Sequence, residues 1–85
     1  MRVISFHQGA FEDFNNWAKE SPDIYDRIVR IIKEISRNPF EGIGKPEPLK
    51  NNLKGFWSRH INKEHRIVYE VKKDEKIIIA CKNHY

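Results

Sequence analysis

Cysteine is almost absent from this sequence of 85 residues. The one cysteine, Cys81, excludes an intramolecular disulfide framework and a cysteine-based zinc cluster, and its place in the apolar run IIIAC predicts a small buried side chain. Long apolar runs are also missing: no segment approaches the ~20 apolar residues that span a bilayer, and the opening MRVISF is too short for a signal peptide. We therefore expect a cytoplasmic protein that does not bind membranes.

Glycine and proline are scarce, with four of each, but two glycines and two prolines fall within residues 40–52. This concentration predicts a loop or a very short strand there. The run GIGK at residues 42–45 is similar to part of a phosphate-binding P-loop. It lacks the GK[ST] ending and the flanking strand and helix of that motif, so we interpret it as a turn.

The length and the charge distribution limit the kind of site this chain can build. A chain of this size forms one domain, residues 1–85, and buries roughly 60–65% of its unfolded surface, so a site should be a surface groove. Residues 1–41 hold six Lys/Arg and seven Asp/Glu, a net charge of −1, whereas residues 42–85 hold ten and five, a net charge of +5. The second half therefore suits a phosphate-bearing partner.

The first half predicts a strand and two helices. Residues 2–6 are β-branched and aromatic, which favours a strand. In the helix that follows, four residues at helical spacing are expected in the core: Phe11, Phe14, Trp17 and Ala18. His7 is interpreted as a cap of this helix. Ser21-Pro22 should begin a second helix and Asn38-Pro39 should end it.

The second helix has the clearest pattern. Its core side is expected to carry Ile24, Ile28, Ile31, Ile32 and Ile35. Four charged residues, Arg30, Lys33, Glu34 and Arg37, are expected to face away from the core.

The second half predicts three antiparallel strands, at residues 56–62, 66–72 and 76–82, joined by short polar turns. In the middle strand, alternation separates Ile67, Tyr69 and Val71 from Arg66, Val68 and Glu70. In the last strand, it groups Ile78, Ala80, Lys82 and His84 opposite Ile77, Ile79 and Cys81. Phe56 and Trp57 lie on opposite faces, and the pattern leaves open which of the two is buried.

The stretch from Lys45 to Val71 contains the unusual chemistry. Glu47 lies between two prolines that restrict the backbone. Cationic residues surround it in sequence: Lys50, Lys54, Arg59, His60, Lys63, His65 and Arg66. This pattern indicates an anion site with a candidate base inside it. His65, next to a turn, is interpreted as a hydrogen-bonding structural residue.

Simpler interpretations of these residues stay open on sequence alone. Glu47 is also consistent with a loop carboxylate paired with Lys45 or Lys50. Arg66 is consistent with a partner of Glu70 on the same strand face, and His84 with a frayed chain end.

Several short runs in this order resemble a known family. PEPLK at residues 46–50, GFWSR at 55–59 and EHRIVYEV at 64–71 precede Ala80-Cys81 and a terminal His84-Tyr85. At this spacing they resemble the YoeB/Txe toxins of the RelE-like superfamily, which are ribosome-dependent mRNA interferases, and the similarity covers nearly the whole chain. The resemblance implies an α+β, RelE-like or microbial-ribonuclease-like fold, with an N-terminal strand, two helices and an antiparallel β-meander in a twisted sheet.

The resemblance also implies a catalytic set. The family's catalytic glutamate, arginine and terminal histidine correspond to Glu47, Arg66 and His84, and Tyr85 assists. These residue types suit RNA cleavage without a metal, which needs a base for the 2′-hydroxyl proton, a cation for the phosphorane charge and an acid for the departing 5′-oxygen. We therefore expect an endoribonuclease with no cofactor. RNA contacts are expected from Lys50, Lys54, Arg59 and His60.

Two positions depart from the family pattern. The family more often has a second arginine where this chain has His60, so cationic support there would depend on pH. An aromatic residue is common where this chain has Asn83.

The implied partners are the ribosome and the mRNA in its A site, an antitoxin of the YefM/Axe type, and a second copy of the toxin in a homodimer. A non-catalytic RNA- or ribosome-binding module that blocks translation by occupancy would use the same basic residues without needing Glu47. A domain that binds an acidic peptide is a third interpretation.

Overall fold

The computed structural model describes residues 2–50 and 55–83. Within them the helices are α1 (Gln8–Glu20) and α2 (Pro22–Arg37), and the strands are β1 (Val3–Phe6), β2 (Glu47–Pro48), β3 (Phe56–His60), β4 (Arg66–Val71) and β5 (Glu75–Ala80). The strands form one sheet in the order β1-β5-β4-β3-β2. β1 is parallel to β5 and the other neighbours are antiparallel, which is the predicted α+β arrangement.

Helix α2 forms as its sequence predicts. The Ser21 hydroxyl accepts a hydrogen bond from the Ile24 N–H at 3.4 Å, and Pro22 occupies the first turn. The helix ends at Arg37, and Asn38 follows as its C-cap. Ile28, Ile31 and Ile35 are fully buried, because their three- and four-residue spacing places them on one side of the helix.

Helix α1 buries a different stripe from the predicted one. Ala10 and Trp17 are buried and Phe14 is half-buried, whereas Phe11 is 53% exposed and Ala18 is exposed, so the prediction is wrong for these last two. The buried stripe therefore follows positions i, i+4 and i+7 from Ala10. His7 occupies the N-cap position, as interpreted, although its side chain makes no capping hydrogen bond.

A β-bulge in β5 overturns the predicted grouping of its side chains. Tyr69 pairs with Ile78 and the adjacent Val68 pairs with Ala80, so Ile79 is the extra residue. Ile78 and Cys81 consequently both lie in the core, fully buried, although simple alternation places them on opposite faces. Ala80 instead shares a face with Val68.

The helices cover one side of the sheet, where Ile67 and Tyr69 join the isoleucines of α2 in the core. Trp57 packs against this core, so it is Trp57 and not Phe56 that faces the helices. The opposite side, which we call the open face, carries one row of paired residues across β2, β3 and β4: Glu47, Ser58 and Val68. His60 and Arg66 form the next row of that face.

Candidate functional site

Glu47 stands on the edge strand β2. The strand is only two residues long, and Pro48 has no N–H to donate, which suits an edge position. Register places Glu47 opposite Ser58 of β3, and the Leu49 N–H donates to the Phe56 carbonyl at 2.9 Å. Glu47 is thereby held at the margin of the open face with 54% of its side chain exposed.

Arg66 meets Glu47 across the intervening strand. The Arg66 Nη1 lies 3.6 Å from the Glu47 Oε1, although β3 separates their strands. Neighbouring strands are ~4.8 Å apart, so this contact needs two long side chains and a small one between them, which Ser58 supplies. The Arg66 side chain is 31% exposed, and its buried Nε–H has no hydrogen-bond partner among the described residues.

Two hydrogen bonds join the end of the described chain to this site. The Asn83 N–H donates to His65 Nδ1 at 2.8 Å, and the Arg66 N–H donates to the Asn83 carbonyl at 3.0 Å. His65 is buried with its ring edge-on to Trp17, 4.8 Å between centroids, so its interpretation as a hydrogen-bonding structural residue is confirmed. Residue 83 is thus fixed beside Arg66.

Arg59 is fully buried, so the expected RNA contact of Arg59 is wrong. Its guanidinium makes five hydrogen bonds: Nε to the Tyr69 hydroxyl at 3.1 Å, Nη1 to Glu34 Oε1 at 2.6 Å and the Ile43 carbonyl at 3.3 Å, and Nη2 to the carbonyls of Asn38 at 2.7 Å and Glu41 at 3.0 Å. All five N–H donors are therefore used. Arg59 holds the loop between α2 and β2 in place.

Two of the side chains that contact Arg59 have shifted pKa values. The Ile43 N–H and the Arg59 guanidinium hold the pKa of the Glu34 carboxyl below its ordinary value of 4.5. Burial raises the pKa of the Tyr69 hydroxyl above its ordinary 10.0, against the opposing effect of Arg59, and this hydroxyl donates to the Pro39 carbonyl at 2.6 Å. Glu34 does not face away from the fold as the helical pattern predicted.

The loop runs close to β3 at Gly44. The His60 N–H donates to the Gly44 carbonyl at 2.6 Å. Gly44 has a φ of 81°, and a Cβ added there would lie 2.7 Å from the His60 carbonyl oxygen, so a side chain is excluded. The GIGK run is a turn, as interpreted, and it brings Lys45 and His60 to one groove.

The remaining predicted residues differ in what the structure says of them. Lys50 is exposed, two residues beyond β2. Lys54, His84 and Tyr85 lie outside the described residues. Among residues 2–50 and 55–83, no group of three or more His, Cys, Asp or Glu side chains could hold a metal ion. No helix in that same part of the chain is long and apolar enough to cross a membrane.

Sequence reasoning missed Glu34, Tyr69 and Arg27 as parts of this region. The sequence did contain a signal that Arg59 is buried, because Arg59 is two residues from both Trp57 and Ile61 and so lies on their core face. Its acceptors lie mostly in backbone carbonyls of the preceding loop, which no residue pattern identifies.

Comparison with known proteins gives this fold and site a family. Residues 6–85 match the model of the YoeB-like toxin of bacterial type II toxin–antitoxin systems. The chain is 50% identical to Toxin YoeB of Escherichia coli (strain K12) over all 85 residues of both proteins.

Two solved structures from Staphylococcus aureus are also similar. A YoeB dimer superposes with a TM-score of 0.91 at 45% identity, covering 99% of this chain and 98% of that one. The toxin in a heterotetrameric YoeB–YefM complex superposes with a TM-score of 0.88 at 44% identity, covering 100% and 99%. The fold is RelE-like, and the chain belongs to the YoeB-like toxins of bacterial type II toxin–antitoxin systems.

Proposed function

We propose that this chain is an endoribonuclease that cleaves mRNA in the ribosomal A site and so stops translation. The observation that carries the proposal is the 3.6 Å approach of Glu47 and Arg66 on the open face. A carboxylate and a guanidinium at this separation can serve, respectively, as the base for a 2′-hydroxyl and the cation for the adjacent phosphate.

The exposure of this pair supports a catalytic role over a structural one. Ion pairs between exposed side chains contribute only about 0–1 kcal/mol to stability. Glu47 is 54% exposed and Arg66 is 31% exposed, so the fold gains little by holding them together. Both side chains are accessible to a substrate, and we expect the protein to stay folded when either is replaced.

In this proposal, Glu47 removes the 2′-hydroxyl proton and the oxygen attacks the neighbouring phosphorus. Arg66 stabilises the negative charge that develops on the phosphorane. His84 protonates the departing 5′-oxygen, with Tyr85 assisting, and Lys50 contacts the scissile phosphate. Asn83 donates its N–H to His65 Nδ1 and accepts the Arg66 N–H, so the residue that precedes His84 lies beside Arg66, which supports this role for His84.

The ribosome supplies the alignment of the RNA. Glu47 and Arg66 lie on the open face with 54% and 31% of their side chains exposed, so the pair alone does not hold a flexible RNA strand in one orientation. Orientation of bound reactants is worth about 7–11 kcal/mol. Cleavage of free RNA should therefore be orders of magnitude slower than cleavage in the A site.

The partner is an antitoxin of the YefM type. The toxin of the Staphylococcus aureus complex was solved with YefM, and the net charge of +5 in residues 42–85 suits an acidic segment laid across the open face. We also propose a homodimer, because the similar YoeB of Staphylococcus aureus was solved as a dimer. Hydrogen exchange in the complex should show protection on the open face, whereas protection confined to the helices would contradict direct blockade.

The decisive experiment compares Glu47→Gln and Arg66→Ala with the control Glu70→Gln, a carboxylate on the same face of β4 as Arg66. Ribosomes that carry a defined mRNA are incubated with each protein, and the new 3′ ends are sequenced. We expect the first two variants to lose about 10²–10⁴ in rate while ribosome pelleting persists. Glu70→Gln should cleave at the wild-type rate.

Near-wild-type cleavage by Glu47→Gln or Arg66→Ala would refute the role assigned to that residue. Stalled translation without new 3′ ends would instead favour the rival function, a non-catalytic module that blocks the A site by occupancy.

A further inference from the structure

A basic groove opens at the end of β3, next to the row of the open face that contains His60 and Arg66. Its volume is about 570 Å³. Side chains and backbone from α2, the loop before β2, β3 and the turn after β3 line it: Arg27, Gly44, Lys45, His60, Asn62 and Lys63. Three parts of the chain that are distant in sequence therefore contribute to one surface, and no carboxylate is among the lining residues.

Arg27, Asn62 and the two lysines present hydrogen-bond donors to this groove. The Arg27 Nε–H donates to the Ile61 carbonyl at 3.0 Å, which fixes the guanidinium and leaves its two Nη groups to other partners. The Asn62 Oδ1 accepts the N–H groups of Glu64 at 2.9 Å and His65 at 2.7 Å, so its amide nitrogen remains as a donor. Among the described residues, no carboxylate lies within 4.0 Å of the charged groups of Arg27, Lys45 or Lys63. These features favour a negatively charged ligand in the groove.

The groove is continuous with the Glu47–Arg66 pair. His60 faces Arg66 in the β3–β4 register, and Lys45 precedes Glu47 by two residues, roughly 7 Å along an extended chain. An anion bound at Arg66 and anions bound in the groove would thus be neighbours. A ligand with negative charges repeated along its length can occupy both places at once.

We infer that this groove binds the phosphates of an RNA strand next to the phosphate held by Arg66. The choice of RNA rests on the proposed function, whereas the selection of a repeated anion rests on the lining alone. An acidic peptide fits less well, because protein partners are usually anchored by large aromatic side chains in well-packed pockets, and the lining holds no aliphatic side chain and no aromatic ring other than the His60 imidazole.

The test removes two charges from the groove and leaves Arg27 and His60 in place. Lys45→Gln/Lys63→Gln is compared with Lys72→Gln/Lys73→Gln, which loses the same charge at the β4–β5 turn, beyond the other end of β4 from Arg66. Affinity is measured over a series of salt concentrations for ribosomes whose mRNA carries non-cleavable 2′-O-methyl groups in the A site. Thermal unfolding of both double variants verifies that they fold.

Each lost phosphate contact lowers the slope of log affinity against log salt by about 0.7–0.9, so the groove variant should lose about 1.4–1.8. The control should keep the wild-type slope. A short single-stranded 2′-O-methyl oligonucleotide is the second probe. If the groove variant lowers the salt slope for this oligonucleotide as well, the groove binds mRNA. If it lowers the slope for ribosomes alone, the groove binds ribosomal RNA.

A wild-type slope in the groove variant would overturn the inference, as would a loss of affinity confined to a poly-glutamate probe. Cleavage of unmodified mRNA by the wild-type protein is followed in parallel. If the wild-type protein cleaves mRNA and the groove variant keeps the wild-type salt slope, only the inference about the groove is refuted. If the slope of the groove variant changes but the wild-type protein does not cleave, the nuclease function is refuted and the inference about the groove stands.

Discussion

Replacing Arg59 with lysine should destabilise the protein and also slow its chemistry. The guanidinium makes five hydrogen bonds in a fully buried position, whereas an ammonium has three donors at one point. At least two bonds are then lost. At about 0.5–1.5 kcal/mol each, the free energy of unfolding should fall by about 1–3 kcal/mol, and each kcal/mol should lower the Tm by roughly 4–8 °C in a domain of this size.

The chemical effect follows from the loop that Arg59 supports. Its acceptors in the Asn38, Glu41 and Ile43 carbonyls lie in the segment that leads into β2. If that segment shifts, Glu47 moves relative to Arg66. A displacement of ~1 Å from the reacting geometry can cost about 10²-fold in rate, so we expect a loss of that order at a temperature where the variant is folded.

The assays are thermal unfolding by circular dichroism and single-turnover cleavage of A-site mRNA well below both melting temperatures. Arg30→Lys is the matched control, because Arg30 is exposed on α2, and it should change the free energy of unfolding by no more than about 0.5 kcal/mol. If Arg59→Lys melts within about 2 °C of the wild type, half or less of the shift that 1 kcal/mol produces, the support assigned to these bonds is wrong. Lower stability with full activity would show that the loop held by Arg59 does not control the position of Glu47.

Three further predictions follow from particular residues. Deleting His84 and Tyr85 should leave a folded, ribosome-binding protein that is nearly inactive in the same cleavage assay, because β5 ends at Ala80 and the Asn83 contacts remain; retained cleavage would remove His84 from the mechanism. Because the pKa of Glu34 is lowered in the folded protein, this carboxyl contributes stability above its unfolded pKa of 4.5, and that stability is lost as the pH falls through the folded value. Urea unfolding at pH 7 and pH 3 should therefore show a smaller acid-induced loss for Glu34→Gln than for the wild type or the exposed control Glu20→Gln, and equal losses would contradict this. Burial raises the pKa of the Cys81 thiol to about 12, so Cys81 should react with iodoacetamide at pH 8 only as fast as the protein unfolds, and rapid labelling of the native protein would show that this thiol is accessible.

The sequence by itself determined the elements whose signals are local. The Ser21 cap, the three- and four-residue spacing of the isoleucines and the Asn38-Pro39 stop act within a few residues of α2, and its bounds agree with them. The opposed faces of Arg66 and Ile67 in β4 follow from a period of two, which neighbours in the chain impose. The sequence also placed Glu47 among cationic residues, and in the structure the Arg66 guanidinium lies 3.6 Å from its carboxylate.

Only the tertiary structure decided the rest, because it depends on groups far apart in the chain. Alternation places Arg59 on the core face, but a buried guanidinium is tolerated only where acceptors surround it, and here they come from residues 38–43, Glu34 and Tyr69. The bulge at Ile79 is set by pairing with Val68 and Tyr69, and it exchanges the faces of the residues that follow. The basic groove joins Arg27 of α2 to Lys63, which meet only once the sheet has folded against the helices.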